Sequence, residues 1–277
     1  MINKILVGVD GSGDSFNAFK SACELAETLS AAMEVIFVVD TRKTEMPYMY
    51  TNTFNDISYE KIYIPPDPEM VSFYTKMKED LRKFGGNCIA KCREYKCYPE
   101  IQKEMAILEG VPQDILLERV RGESLIVIGR HGENGKFHSS VLGSTTEELI
   151  RRSGVPVLVV ENPVKSIKDM AYCHSPGAST EHTLDFLLDN FNRRTVHLTV
   201  IHQKKHEIPA RILESFLGNI TRITVEHESG MAAELEKHSF DAVVTGVHGK
   251  HKLTDFIVGT TAVHLVRKSR VPLFIVN

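Results

Sequence analysis

Two glycine-rich stretches are the residues of this chain best suited to hold an anion. They read Gly129-Arg130-His131-Gly132, then ten intervening residues and Gly143-Ser144, and Gly246-Val247-His248-Gly249, then nine intervening residues and Gly259-Thr260. Each stretch comes after a short apolar run and before a helix-like segment. Backbone N–H groups in such a loop can approach phosphate closely, and a helix N-terminus adds partial positive charge. The pattern therefore predicts a nucleotide, in two candidate places.

The rest of the chain alternates apolar runs with segments of helical periodicity. Apolar runs predict strands at residues 5–9, 34–40, 97–105, 125–129, 157–161, 170–173, 195–202, 220–226, 242–246 and 273–276. Helical spacing predicts helices at residues 15–29, 68–95 (interrupted or ended around Gly85-Gly86), 112–121, 144–153, 179–191, 209–217, 230–238 and 260–269. This alternation predicts parallel βαβ units with right-handed crossovers and helices on both faces of the sheet.

An internal repeat predicts the domain organisation. Residues 151–160 and 267–276 share the pattern of two basic residues, a serine, Val-Pro and an apolar strand. A repeat unit this long indicates two copies of one domain. We predict an α/β fold of two tandem five-stranded parallel-sheet domains, residues 1–163 and residues 166–277, joined near Asn162-Pro163-Val164-Lys165.

A long excursion belongs to the first domain alone. Residues 41–67 contain Pro47, Pro65, Pro66 and many aromatic residues without a sustained period, which predicts an irregular segment. Its large apolar groups could cover a ligand, cover the second domain or bind another protein. The sequence leaves these three roles open.

Composition excludes several function classes. With 33 basic and 36 acidic residues the net charge is −3, so neither nucleic acid nor an anionic membrane is an expected partner. No signal peptide and no membrane-spanning run is recognised, and we expect a cytoplasmic protein. The odd number of cysteines predicts reduced thiols, and Cys88, Cys92 and Cys97 lack the spacing of a metal site.

Three ordered motifs resemble the universal stress protein family in a tandem arrangement. They are Gly8-Val9-Asp10-Gly11-Ser12 after the first strand, the glycine loop with its Gly-Ser or Gly-Thr, and the Val-Pro endings at residues 155–160 and 271–276. The resemblance implies Rossmann-like domains of the adenine nucleotide alpha hydrolase type. It also implies ATP in those members that carry the loop G-x2-G-x9-G-(S/T).

The same resemblance implies roles for individual residues. Asp10 would contact the ribose or a phosphate-bound metal such as Mg²⁺, and Val9 and Val38 would lie by the base. Ile128 would also belong to this nucleotide-binding set of the first copy. The phosphates would be surrounded by Gly129, His131, Gly132, Gly143, Ser144 and Thr145. A second, weaker set comprises Gly246, His248, Gly249, Gly259, Thr260 and Thr261. Residues 144–147 also fit a capping box, which predicts the start of a helix.

Each copy departs from the family pattern at one point. The first has one extra residue between its second and third glycines, which a loop absorbs at small cost. The first strand of the second copy ends in Tyr172-Cys173-His174-Ser175-Pro176 and lacks the aspartate. There, metal or ribose contacts would have to come from His174 or Ser175.

The function expected from these observations is regulation through bound ATP or a related adenine nucleotide, which biases association with a protein partner. No catalytic residue is assigned. One alternative is a nucleotide-free interaction module in which the two domains form an intramolecular pseudo-dimer. Another is a slow Mg²⁺-dependent ATP hydrolase that uses Asp10 and His131. The last strand of each domain could pair between domains or between chains, so a homodimer is also left open.

Overall fold

The computed structural model describes most of the chain. The described residues are 1–45, 50–55, 58–63, 67–98, 100–133, 142–177, 179–247, 265 and 270–277, with only the backbone considered for 50–55 and 58–63. The predicted helix at residues 260–269 lies outside this part of the chain except for Leu265, which is helical.

The described elements follow the expected alternation of strands and helices. The strands are β1 (Lys4–Val9), β2 (Ala32–Asp40), β3 (Tyr50–Asn55), β4 (Ser58–Tyr63), β5 (Lys103–Gly110), β6 (Ser124–Gly129), β7 (Val157–Val160), β8 (Asp169–His174), β9 (His197–Gln203), β10 (Ile220–Val225), β11 (Ala242–Gly246) and β12 (Leu273–Val276). The helices are α1 (Gly13–Leu29), α2 (Thr41–Thr44), α3 (Pro68–Glu94), α4 (Pro112–Glu118), α5 (Ser144–Arg152), α6 (Thr180–Asn190), α7 (Ala210–Ser215) and α8 (Ser229–Lys237). None of the helices in the described ranges is long and apolar enough to span a bilayer.

Ten of the strands form one continuous sheet. Its order is β10-β9-β8-β11-β12-β7-β6-β1-β2-β5, so each five-stranded half repeats the same strand order. Within each half the strands pair in parallel, whereas β7 and β12 pair antiparallel, with Val157 opposite Ile275 and Val159 opposite Leu273. The final strands of the two copies therefore pair with each other within one chain. The division into units at residues 1–163 and 166–277 stays a prediction.

Alternate residues of the strands pack into two apolar layers, one on each face of the sheet. In β1, Ile5 and Val7 face one layer and Leu6 faces the other, and all three are fully buried. The first layer contains buried residues of α1, α3 and α6, and the second contains those of α4, α5 and α8. Because both faces are covered, the strands carry continuous apolar runs. The predicted α/β fold with helices on both faces is confirmed.

Three predicted elements need correction. The excursion is not irregular throughout, because β3 and β4 pair antiparallel as a hairpin, consistent with its β-branched and aromatic residues. Helix α3 continues through Gly85, where an added Cβ would lie 2.4 Å from the Phe37 ring, so this glycine allows close packing on β2. Strand β5 starts at Lys103 and not at residue 97, because its register is set by β2, where Lys103 pairs with Met33.

Candidate functional site

A cavity of about 400 Å³ opens at the carboxyl ends of β1 and β6. Strand β1 lies between β2 and β6 in the sheet. Helix α1, which follows β1, packs on one face, whereas α4, which precedes β6, packs on the other. Such a switch point leaves a crevice outside the strand ends, where open α/β sheets bind ligands. The volume falls in the range of small-molecule sites.

One wall of the cavity is apolar. Its lining side chains come from β2, α3, α4 and β6 and are Ile36, Phe37, Val38, Leu81, Phe84, Pro112, Leu116 and Ile128. Gly8 of β1 lies under this wall, where an added Cβ would be 3.1 Å from Leu116 and 3.3 Å from Ile128. The wall can therefore take up a flat apolar group such as a base.

The opposite end is formed by the glycine loop and the start of α5. Gly129 packs directly on α1, where an added Cβ would lie 2.7 Å from the Ser15 nitrogen. The Gly143 N–H donates to the Arg130 carbonyl at 3.0 Å, and the Thr146 hydroxyl donates to the Gly129 carbonyl at 2.8 Å. These bonds join the end of β6 to the first turn of α5, so the helix N-terminus points its amides at the cavity.

The predicted capping box is wrong. Helix α5 has Gly143 as its N-cap residue, and none of the described side chains caps it. Ser144 is already the first helical residue, so its hydroxyl is placed one position too late to act as the cap. The first amides of α5 therefore lack a side-chain acceptor among the described residues, and this end of the helix retains its affinity for an anion.

The carboxylate of Asp10 holds two loops together at the cavity. One oxygen accepts from the Ser12 N–H at 3.0 Å, and the other accepts from the Glu133 N–H at 3.2 Å. Gly132 lies so close that an added Cβ would be 2.9 Å from Asp10 Oδ2. Asp10 thus forms an ordinary aspartate turn and also lines the cavity.

An aspartate that sequence reasoning missed holds His131. Asp14 Oδ2 lies 2.8 Å from His131 Nδ1 and also accepts from the His131 N–H at 3.1 Å. Asp14 is in the first turn of α1, distant in sequence from the glycine loop. Its pairing with His131 fixes the imidazole at the cavity edge. The only sequence signal for Asp14 was its position four residues after Asp10, about one helical turn from the Gly8–Ser12 motif.

Charged groups surround the mouth of the cavity at α2. Arg42 donates to both carboxylate oxygens of Asp40, at 2.9 and 2.7 Å. Burial of Asp40 acts to raise its pKa, but the hydrogen bonds and charge of Arg42 outweigh it and hold the pKa below its usual value. The same hydrogen bond raises the pKa of Arg42. With Lys43, which also lines the cavity, two cations lie near the mouth.

A buried arginine connects the glycine loop to the second half. Arg130 is 4% exposed, and its Nε lies 3.2 Å from Glu161 Oε2. Burial lowers the pKa of Arg130, and the charge of Glu161 opposes that shift. The other carboxylate oxygen of Glu161 lies 3.9 Å from Arg270, which precedes β12. The second copy has Val247 in place of Arg130, so this contact belongs to the first loop only.

The candidate second site is built differently. His174 is 1% exposed, with Nδ1 2.9 Å from the Tyr172 hydroxyl and Nε2 3.2 Å from the Glu207 carbonyl. The Ser175 hydroxyl donates to Glu228 at 2.8 Å. An added Cβ on Gly246 would lie 2.4 Å from the Ser179 hydroxyl oxygen. Neither His174 nor Ser175 is therefore available to replace Asp10. The other members, His248, Gly249, Gly259, Thr260 and Thr261, lie outside the described residues.

The first predicted set is brought together by the fold. All ten residues line the one cavity: Val9, Asp10, Val38, Ile128, Gly129, His131, Gly132, Gly143, Ser144 and Thr145. Within the described ranges no group of three or more His, Cys, Asp or Glu side chains is placed to hold a metal ion. The arrangement offers an apolar wall, an amide-lined end and two nearby cations, which suits a ligand with a flat base and an anionic tail.

Ser12 connects α1 to the glycine loop. Its hydroxyl oxygen accepts from the Ser15 N–H at 3.1 Å as the helix cap, and the hydroxyl lies 3.3 Å from the His131 carbonyl. We expect Ser12→Ala to lower the free energy of unfolding by about 1–2 kcal/mol, the usual cost of losing an N-cap. Urea unfolding measures this. Thr28→Ala, on an exposed part of the same helix, is the control and should change stability by no more than about 0.5 kcal/mol.

Comparisons with known proteins agree with this architecture. The model of the universal stress protein family matches residues 1–161 and 218–277. A universal stress protein of Synechocystis sp. is 23% identical over 170 residues, which cover 57% of this chain and 59% of that protein, less than two thirds of its length. One of Mycobacterium bovis is 21% identical over 303 residues, covering 98% of this chain and 96% of that protein. A crystal structure from Archaeoglobus fulgidus aligns with a TM-score of 0.68 at 17% identity, covering 99% and 96% of the two chains.

Proposed function

This chain belongs to the universal stress protein family, and we propose that it is a cytoplasmic regulator that binds ATP or a related adenine nucleotide in its N-terminal half. The observation that carries the proposal is that one cavity has an apolar wall at one end and, at the other, the start of α5, which no described side chain caps. The base would lie against Val38 and Leu116, and the phosphates would lie at the amides of Gly132 and Ser144.

Charge arguments favour a metal-bound nucleotide. Asp10, Asp40 and Glu133 line the cavity, and its described lining residues include one arginine and one lysine, Arg42 and Lys43. A triphosphate alone would meet these carboxylates at close range. Mg²⁺ carried by the phosphates would relieve this repulsion, and Asp10 would be the residue that contacts it.

The proposed regulation depends on three elements that meet at the cavity, namely α1, α2 and the glycine loop. Ligand contacts would reach α1 through the Asp14–His131 pair, α2 through Arg42 and the glycine loop through Asp10. Glu161 lies next to Arg130 and Arg270 and so touches both halves of the chain. A ligand that favours one arrangement of these loops shifts the population toward it, and a protein partner that recognises that arrangement then binds more tightly.

Calorimetric titration of Mg-ATP into the purified full-length protein tests the binding. We expect one nucleotide per chain, because the second copy lacks the counterpart of Asp10 and uses His174 and Ser175 in other hydrogen bonds. A stoichiometry of two would contradict the assignment to one half. Acid precipitation followed by mass spectrometry of the supernatant shows whether adenine nucleotide co-purifies.

Two alternative functions give different results in these measurements. A nucleotide-free interaction module, which the intramolecular pairing of β7 with β12 favours, would release no adenine nucleotide and show no heat or thermal shift with Mg-ATP. A slow hydrolase that uses Asp10 and His131 would release phosphate at a rate that Asp10→Ala lowers. Phosphate release unchanged by Asp10→Ala excludes that hydrolase mechanism.

A further inference from the structure

Four cysteines gather where α1 meets the end of α3. They are Cys23 on α1, Cys88 and Cys92 on α3, and Cys97 in the segment that follows α3. The side chain of Cys23 interacts with that of Cys97 and, more weakly, with that of Cys92. All are free thiols. Cys23 is part of the apolar layer on the α1 side of the sheet, and Cys97 packs against that same layer.

The segment that carries Cys97 is held against α1 on both sides of the thiol. Before it, the Tyr95 ring packs edge-on against Phe16 and Phe19 of α1, with centroids 6.1 and 5.7 Å apart. After it, the Tyr98 hydroxyl lies 3.2 Å from Glu24 Oε2, next to Cys23 in sequence. These flanking contacts fix the position of the backbone at Cys97. The position of Cys97 beside α1 is therefore a property of the fold.

We propose that Cys23 and Cys97 form a dithiol site that a low-molecular-weight disulfide, such as oxidised glutathione, converts to an intramolecular disulfide. The Cys97 thiolate attacks one sulfur of oxidised glutathione, forms a mixed disulfide and releases one glutathione thiolate. The Cys23 thiolate then attacks the Cys97 sulfur and displaces the second glutathione thiolate. In total the two thiols lose two protons and two electrons, and one oxidised glutathione becomes two glutathione molecules.

Accessibility sets the order of the two steps. Cys97 is half-buried and can be reached from solvent, whereas Cys23 is 1% exposed. Burial raises the pKa of the Cys23 thiol, and the interaction with Cys97 adds to this, although the charge of Lys103 opposes the shift. Cys23 therefore reacts only with a sulfur already brought into contact with it. Cys173, with its pKa raised to about 12 by burial alone, has no such neighbour among the described cysteines.

The disulfide would connect two walls of the cavity. Helix α1 brings Ser15 to the lining, and α3 brings Leu81 and Phe84. A bond from Cys23 to Cys97 would tether α1 to the segment directly after α3. The disulfide would also close a long loop in the unfolded chain. Longer loops lose more entropy on closure, so such a disulfide stabilises the folded protein more.

Incubation of the full-length protein with oxidised glutathione, followed by alkylation and trypsin digestion, tests the proposal. Trypsin cleaves after Lys91, Arg93 and Lys96, so Cys92 and Cys97 fall in different peptides. We expect a linked peptide pair that contains Cys23 and Cys97, and a rise in Tm of about 5 °C or more that dithiothreitol reverses.

Two variants control the experiment. Cys97→Ser, at a half-buried position, should abolish both the linked pair and the rise in Tm, while Cys173→Ser should retain both. A link from Cys23 to Cys92, glutathione that remains on Cys97 without a link, or no reaction at all would overturn the proposal. None of these measurements involves the nucleotide, so the outcome is independent of the proposed function.

Discussion

Replacing Ser144 by glutamate should weaken Mg-ATP binding by about 100-fold or more, because it puts a carboxylate where the phosphates are proposed to lie. Two unit charges about 4 Å apart near a protein surface repel by roughly 4 kcal/mol, and each 1.4 kcal/mol is a tenfold change in Kd. Ser144 is the exposed first residue of α5 and lines the cavity. Calorimetric titration at fixed ionic strength measures the change.

The same substitution should not harm the fold. A carboxylate in the first turn of a helix interacts favourably with the helix dipole, by about 0.3–1 kcal/mol. The Tm of Ser144→Glu should therefore equal or exceed that of the unmodified protein. Loss of binding together with an unchanged or higher Tm separates an effect on the ligand from an effect on folding.

Two further variants isolate the charge at this position. Ser144→Gln changes the size but not the charge, and should cost no more than about tenfold, the value of one neutral hydrogen bond. Ser229→Glu adds the same charge at the exposed first residue of α8, away from the cavity lining, and should leave the Kd unchanged. Equal binding by Ser144→Glu and Ser144→Gln would show that the phosphates do not lie at the start of α5.

Replacing Gly11 by alanine should lower the free energy of unfolding by about 3 kcal/mol, from backbone strain and overpacking together. Gly11 has φ +89°, in the left-handed region, and an added Cβ would lie 2.4 Å from the Phe84 ring. Phe84 belongs to α3 and lines the cavity, so the same change moves a cavity wall. Urea unfolding measures the loss.

The second glycine of this turn is the matched control. Gly13 has no atom within 4 Å of an added Cβ and is the first residue of α1. Gly13→Ala should be neutral or stabilise the protein by up to about 1 kcal/mol, because alanine favours a helix and restricts the unfolded chain. If Gly11→Ala unfolds at the same urea concentration as Gly13→Ala, the packing of α3 on this turn is not what requires glycine.

A double variant divides the two causes of the Gly11 effect. Phe84→Ala removes the ring that an added Cβ would meet at 2.4 Å, so the cost of Gly11→Ala in that background should fall to the strain of the backbone and a closer contact with Cys88 Sγ, 3.1 Å away. We expect the cost to drop to roughly half, about 1–2 kcal/mol. An unchanged cost would show that the Phe84 ring contributes nothing to the effect.

Local patterns were sufficient to predict most elements, whereas the resemblance to the universal stress protein family supplied the set of residues that line the cavity. The apolar run of β6 followed by Gly129 places the loop at a strand end, because continuous apolar runs form buried parallel strands. The repeat of the Val-Pro strand predicted two five-stranded halves, which the sheet order bears out. These inferences depend on neighbouring residues only, so they needed no knowledge of contacts across the chain.

The features that local patterns did not predict depend on contacts between distant residues. Gly85 was expected to interrupt α3, since glycine weakens an isolated helix, but the Phe37 ring packs against it and the helix continues. The N-cap of α5 is Gly143 and not Ser144 as the capping box predicted, because the Arg130 carbonyl accepts the Gly143 N–H and fixes the start of the helix there. In both places tertiary packing outweighs a local preference of about 1 kcal/mol.

The amino-acid sequence by itself determined the family, the doubled α/β architecture and the residues that gather at the ends of β1 and β6. Only the tertiary structure decided that β7 and β12 pair antiparallel within one chain, that Asp14 holds His131, and that the segment with Cys97 packs against α1. The physical reason is that periodicity and turn chemistry act over a few residues, whereas these pairings join residues far apart in the chain and exist only once the sheet has assembled.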